Sequence, residues 1–284
     1  MNELLKTLVS DGEISVSVLD TTDMVNEAIR IHNLSPVCAA ALGRTMTAVT
    51  FMASGLKNAT DKLSVTVKGN GPCGKITVAG NSALQMRATI DNGQIDLPLK
   101  PNGKLDVGGA VGREGRLTVL KSMGLKEPYT GSSNLVSGEI AEDFAAYYFY
   151  SEQQPTAMAL GVKIGVDGRC VGAGGVVIQA LPGAKESSII NAENIINQLG
   201  AISTIIEQHD AKFVMKEYFG TEKFDIYHPE YKCLCSREYI EGVLVSLGKQ
   251  ELESIILEQG KINVKCEFCD KQYDFNLDDV NKLF

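Results

Sequence analysis

Four cysteines near the end of the chain restrict what its last fifth can fold into. They fall as Cys233-Leu-Cys235, then thirty residues (236–265), then Cys266-Glu-Phe-Cys269. Four thiolates suit tetrahedral zinc, and a CxxC carried on a turn is the usual half-site. A CxC half is less common but also holds two sulfurs close together. Four such ligands leave no open coordination position, whereas catalytic zinc keeps one for water or substrate. The pattern therefore predicts one structural Zn2+ per chain, with or without a switching role, and no catalytic centre. Buried unmetallated thiols fit poorly with cysteines set in short polar turns. A thioredoxin-like CxxC lacks its βαβ surroundings.

The flanking sequence predicts a unit of about 55 residues that begins at His228-Pro229. A short helix follows Cys235 and breaks at Gly248. A second helix runs from Gln250 to Gln259 and is closed by Gly260. Ile262 and Val264 alternate into Cys266, and Tyr273 and Phe275 alternate out of Cys269, which reads as a hairpin with two cysteines at its tip. So few large apolar side chains make the unit marginal alone. Zinc contributes on the order of 10–16 kcal/mol in finger peptides, so this unit is expected to fold only with its metal.

Oxidation has a predictable outcome. Cysteines two and three positions apart in turns come within the roughly 4.4–6.8 Å Cα separation of disulfides. The obvious products are Cys233–Cys235 and Cys266–Cys269. Each closes a tiny loop and constrains the unfolded chain little, whereas zinc ties two sequence-distant turns together. Oxidation thus exchanges a long-range cross-link for two local ones. The unit is expected to lose its fold and to loosen the apolar segment before it, and exposed apolar surface means binding. Spacing alone does not separate this switch from a structural zinc ribbon that never cycles and serves as a nucleic-acid or protein interaction module.

Upstream, residues 1–180 read as one mixed α+β domain. Period-two alternation marks strands at Ile14, Val16 and Val18, at Leu63, Val65 and Val67, at Ile76 and Val78, and from Leu160 through Val162 and Ile164 to Val166. Ser35 is placed to cap a helix that starts at Pro36 and runs through Ala39 to Leu56, and Ser137 to cap another, with Glu139 and Glu142 near its start. After Pro182-Gly183 the pattern turns helical. Ile195, Leu199, Ile202 and Ile206 share one face, and Ile189, Ile190, Ile196 and Ile205 widen it. A segment this apolar must dock, so residues 181–227 are expected to form a helical linker packed on the N-terminal sheet, followed by the zinc-binding unit at 228–284.

The other signals are weaker. The net charge of -8 disfavours phosphate-dependent binding to nucleic acid. No secretory signal and no apolar run of membrane-spanning length stands out, so the expectation is a cytoplasmic protein with reduced thiols and no membrane partner. Gly69-Asn70-Gly71-Pro72-Cys73-Gly74 fits G-x-G-x-x-G, but Ile76 and Val78 continue a strand where a nucleotide fold needs a helix, so it reads as a hairpin. Gly172-Ala173-Gly174-Gly175 reads as a turn. Cys38, Cys73 and Cys170 read as small buried side chains. Glu139, Glu142 and Asp143 read as a solvated helix start, and none of His32, His209 and His228 sits in a triad. His228 is near enough in sequence to be a spare ligand, but the cysteines fill the site.

Several stretches resemble the 33 kDa chaperonin family of redox-regulated bacterial chaperones. They are Gly124-Leu-Lys-Glu-Pro-Tyr-Thr-Gly131, Leu135-Val-Ser-Gly-Glu-Ile-Ala-Glu-Asp143, Ser151-Glu-Gln, Leu34-Ser-Pro, Ala41-Leu-Gly-Arg44, Gly174-Gly and Leu181-Pro-Gly183. The four cysteines are similar to that family's switch, ligand for ligand. The resemblance implies an ATP-independent holdase, inactive while reduced and zinc-bound. Oxidants with heat would form the two disulfides, release zinc, unfold the C-terminal unit and linker, and favour a homodimer that holds unfolding client proteins.

Overall fold

The computed structural model describes residues 1–124 and 126–284, so Leu125 of the Gly124–Gly131 motif lies outside the described residues. The elements run β1 (Glu3–Val9), β2 (Ile14–Asp20), α1 (Thr22–His32), α2 (Pro36–Ala53), β3 (Lys62–Lys68), β4 (Lys75–Asn81), β5 (Gln85–Ile90), α3 (Val107–Val111), β6 (Arg116–Ser122), β7 (Tyr129–Asn134), α4 (Ala141–Tyr150), β8 (Thr156–Ile164) and β9 (Cys170–Ala180). There follow α5 (Glu186–Gln198), α6 (Ile202–Gln208), α7 (Ala211–Phe219), β10 (Asp225–Tyr227), β11 (Glu230–Tyr231), α8 (Arg237–Val245), α9 (Lys249–Gln259), β12 (Ile262–Lys265), β13 (Gln272–Phe275) and α10 (Leu277–Leu283). The chain divides into two compact units, Met1–Tyr231 and Lys232–Phe284. His228–Tyr231 therefore belong to the first unit.

The first unit is α+β, as the alternation implies. One sheet has strand order β10-β1-β2-β9-β8, and a second has β11-β5-β4-β3-β6-β7. Helix α2 packs against strands of both. Pro36 sits at its first turn after extended Ser35, and it ends at Ala53, a few residues short of Leu56. Every residue of α2 except Pro36 and Arg44 is buried. Its buried hydroxyls bond backward along the helix, Thr45 to the Ala41 carbonyl, Thr47 to Gly43 and Thr50 to Met46, so none is left unpaired in the core. The sequence expectation of no membrane-length apolar run needs correcting here. Pro36–Ala53 is long and apolar enough, but 89% of it is buried inside the protein, which makes it a core helix.

The first sheet is covered on both faces. Leu4, Leu19 and Val177 turn into the main core with α2. Leu5, Ile14, Val16, Val18, Val176 and Ile178 turn the other way, into a second core completed by Leu199, Ile202, Ile206, Ala211, Val214 and Met215. That second core is where the helical linker docks. The predicted single apolar face is split between α5 and α6 at Gly200, which takes a positive φ of 58°. Leu199, Ile202 and Ile206 are nonetheless buried together, while Ile195 is only half-buried.

Two expectations are corrected by backbone chemistry. Gly172–Gly175 is no turn but lies within β9. A Cβ on Gly172 would meet the Ser203 carbonyl at 2.2 Å, and one on Gly161 of β8 would meet the Ser203 nitrogen at 2.8 Å. These glycines let α6 approach the sheet backbone. Ser137 does not cap α4. The buried Asp143 carboxylate does that work from inside the helix, accepting from the backbone N–H groups of Val136 (2.7 Å), Ser137 (3.0 Å), Gly138 (3.3 Å) and Ile140 (2.9 Å). Asp143 is therefore not solvated, whereas Glu142 is exposed. Glu139 precedes the helix, pairs with Arg44 at 2.8 Å and with Lys100, and accepts from the Gly108 N–H at 3.0 Å. Arg44 and Glu139 come from two of the resembling motifs, which this ion pair joins. The Gly69–Gly74 stretch does form a hairpin, linking antiparallel β3 and β4.

Candidate metal centre

The second unit has a small core of Ile240, Leu244, Leu252, Ile262, Phe275 and Val280. Ser236 caps α8 by accepting from the Tyr239 N–H at 3.2 Å, and Asn276 caps α10 by accepting from Asp279 at 2.9 Å. Arg237 lies over the Phe275 ring, 4.3 Å from its centroid, and bonds Glu241 and Asp279, each at 3.1 Å. The guanidinium thereby ties α8 to the hairpin and to α10. Helices α8 and α9 and the hairpin β12–β13 fall where the sequence predicts them, while α10 goes unpredicted.

Cys233 and Cys235 stand just before α8, and Cys266 and Cys269 stand in the turn between β12 and β13. The turn is fixed by Cys266, whose N–H donates to the Lys271 carbonyl at 2.8 Å and whose carbonyl accepts from Asp270 at 2.9 Å. Asp270 takes a positive φ of 61°, and its carboxylate pairs with Lys265 at 3.0 Å. All four cysteines are half-buried, and their sulfurs lie within 4.8 Å of one another. Cys233 Sγ is 3.6 Å from Cys266 Sγ, and Cys235 Sγ is 3.4 Å from Cys269 Sγ. A tetrahedral ion with bonds of about 2.3 Å would space its sulfurs roughly 3.8 Å apart. The donor set thus fits a metal ion and is compatible with zinc.

The surroundings act unequally on the thiols. Burial opposes ionisation of Cys235, but hydrogen bonds from Tyr273 and the other three thiols outweigh it and bring its pKa down to about 7. Burial pushes Cys269 up to about 11 and Cys233 higher still. Without a cation, four clustered thiols share protons rather than ionise together. Tyr273, whose hydroxyl is 3.2 Å from Cys235 Sγ, is a neighbour the sequence reading treats only as a strand residue. The other cysteines form no such four-membered cluster among the described residues. Cys38, Cys73 and Cys170 are buried, and burial pushes Cys73 and Cys170 up to about 12. His228 belongs to the first unit, with Nδ1 3.4 Å from the Asn2 carbonyl, and is no ligand.

A two-sheet α+β unit carrying a helical segment on one face, followed by a small unit with four clustered thiols, defines a class of two-unit proteins with a C-terminal four-cysteine module suited to a metal ion. The family model described as Hsp33 protein matches residues 2–276. The 33 kDa chaperonin of Desulforamulus reducens is 43% identical over 284 residues, spanning 99% of this chain and 96% of that protein. That of Bacillus cytotoxicus is 39% identical, spanning 99% and 97%. The crystal structure of the 33 kDa chaperonin (heat shock protein 33 homolog) of Thermotoga maritima matches with a TM-score of 0.90 at 31% identity, spanning 99% of this chain and 97% of that one. The chain belongs to the Hsp33 family, which is a family of chaperones and not of enzymes.

Proposed function

We propose that this chain is a redox-regulated, ATP-independent holdase of the cytoplasm, which binds unfolding proteins under oxidative and heat stress. Cys233, Cys235, Cys266 and Cys269 hold one Zn2+ in the reduced, inactive form. When bound, zinc supplies the charge that keeps all four sulfurs thiolate and joins the two turns. The observation that carries this reading is the four-sulfur cluster, set in a unit with only six buried apolar residues among the described residues. So small a core depends on its cross-link.

The switch follows from the cysteines. Within each turn two thiolates lose two electrons to a peroxide, which takes up two protons and becomes two waters, and the pair becomes a disulfide. The products are Cys233–Cys235 and Cys266–Cys269. Disulfide sulfurs no longer ligate a cation, so the site loses its hold on zinc and the turns separate. Residues 228–284 then unfold, and the linker at 181–227 loosens from the sheet face formed by Leu5, Val16, Val18, Val176 and Ile178. The freed apolar surface holds clients and favours a homodimer.

The test is to titrate the reduced protein with peroxide at elevated temperature. Zinc release is followed with a chromophoric chelator, disulfides are mapped by mass spectrometry, and aggregation of a heat-unfolding reporter protein is followed in the same samples. The expected result is one zinc per chain leaving as protection appears, with thiol reductant preventing both. Zinc release without protection would reduce the metal to a structural staple.

A further inference from the structure

In the first sheet the outermost strand beside β1 is β10, which has three residues, all exposed. Without β10 the edge would be β1 itself. That strand has seven residues, Glu-Leu-Leu-Lys-Thr-Leu-Val, with no proline, and pairs with β2 in unbroken register from Glu3↔Asp20 to Val9↔Ile14. A regular, largely apolar edge of this length is what proteins cover to avoid pairing with other chains. Here the cover is a strap, residues 223–231, that closes both sheets in turn.

Phe224 and Tyr231 anchor the strap on the two cores, and between them it is held mostly through its main chain. β10 pairs antiparallel with β1 at Leu4↔Tyr227, Leu5↔Ile226 and Lys6↔Asp225. Thr7 donates its hydroxyl to the Lys223 carbonyl at 2.7 Å, and the Asn2 amide donates to the Pro229 carbonyl at 3.2 Å. Two residues further on, β11 pairs with β5, and the Tyr231 hydroxyl reaches the Ala88 carbonyl at 3.1 Å. Cys233 follows only two positions later. The β1 edge is also incompletely filled. Pairing with β10 stops at Lys6, and beyond it an open groove of about 520 Å³ runs along Thr7 and Leu8 and under Lys223 and Phe224. Leu8 stands exposed beside it.

We propose that the strap occupies a client-binding edge, and that once it leaves, β1 takes up an extended segment of an unfolding protein as an antiparallel strand. This deepens the holdase reading above and rests on it. β10 shows what fits, namely an extended chain antiparallel to β1 whose three paired residues are exposed. Such recognition reads main-chain donors and acceptors and is tolerant of sequence. A folded protein has its backbone groups already paired, whereas an unfolding one offers them free. The edge therefore discriminates by conformation, as a chaperone for unrelated clients must. Its position next to Cys233 in the chain links its opening to the switch.

The experiment uses full-length protein, reduced and peroxide-activated, with and without a heat-unfolding reporter protein. Hydrogen exchange is read at those amides of Leu4, Leu5 and Lys6 that bond β10. The expected result is exchange that speeds about tenfold or more on activation and slows again when the reporter is bound. A nine-residue peptide copying residues 222–230 is added as competitor in two N-methylated forms, one at residues 225 and 227 and one at 226. Strand addition requires that only one form displaces the reporter, because alternate amides face β1. Equal competition by both forms would overturn the proposal. So would β1 amides that stay slow on activation, or that stay fast while aggregation is suppressed; the holdase reading would survive either. Re-protection without reporter that grows with protein concentration would assign the edge to a second copy of this chain and overturn the client assignment. Loss of all aggregation suppression would overturn the holdase reading and this inference together.

Discussion

Residues 1–231 bury Tyr147, Phe144, Leu42, Met46 and many more side chains completely, and they add polar clasps such as Asp143 to the core. Residues 232–284 bury six apolar side chains, of which Phe275 is the largest, and gather four sulfurs instead. In the first unit cohesion is spread over many contacts, so no single chemical event removes it. In the second the apolar core is small, and under the proposed switch cohesion hangs on one group of four sulfurs. The proposed switch, which keeps a platform folded while discarding a module, needs this inequality.

The most direct way to break the comparison is to remove the metal from reduced protein with a strong chelator. A stabilisation on the order of 10–16 kcal/mol acts through such sites. Residues 232–284 should lose hydrogen-exchange protection entirely, while β2 and β3 keep theirs. If the second unit stays protected, its six-residue core is sufficient and the contrast drawn above is wrong. The converse perturbation is Asp143→Ala, which leaves the N–H groups of Val136, Ser137, Gly138 and Ile140 without their acceptor. The first unit should lose about 3–5 kcal/mol in denaturant unfolding, with metal stoichiometry unchanged. A smaller effect is expected from Glu139→Gln, about 1–3 kcal/mol, since Glu139 is partly exposed. Burial works against the Glu139 carboxylate, but Lys100, Arg44 and the Gly108 N–H outweigh it and hold its pKa below the ordinary value. A depressed folded pKa gives stability that is present above the unfolded value, about 4.3, and lost as pH falls through the folded one. The first unit of the Gln variant should therefore match the parent more closely below pH ~4 than at pH 7. A constant difference across that range would show that the ion pair is not the cause.

The sequence was most readable where one physical requirement acts alone. The cysteines stand out because ligands for one ion need fixed spacing, and α9 and its Gly260 stop stand out because the helix ends on a positive φ of 80°. Strands β2, β3 and β4 show period two. Strand β1 does not, because Leu4 and Leu5 are both buried, one on each face of a doubly covered sheet. Strand β7, Tyr-Thr-Gly-Ser-Ser-Asn, has no apolar period to read. The glycines of β9 read as a turn because glycine is ambiguous between bending a chain and admitting a neighbour. At the metal centre Tyr273 was illegible as a partner of Cys235, since 38 residues separate them and only the fold brings them together.

The bare backbone of β8 and β9 under α6 has a kinetic meaning. Where Gly161 and Gly172 meet Ser203 the sheet presents bare main chain to α6, while Ile202 and Ile206 of the helix pack into the second core. At these two positions a helix that leaves the sheet can settle again with fewer sheet rotamers to place than a contact of interlocking side chains would require. For the proposed switch, two missing side chains on the sheet thus favour repeated cycles of release and return over a single irreversible opening.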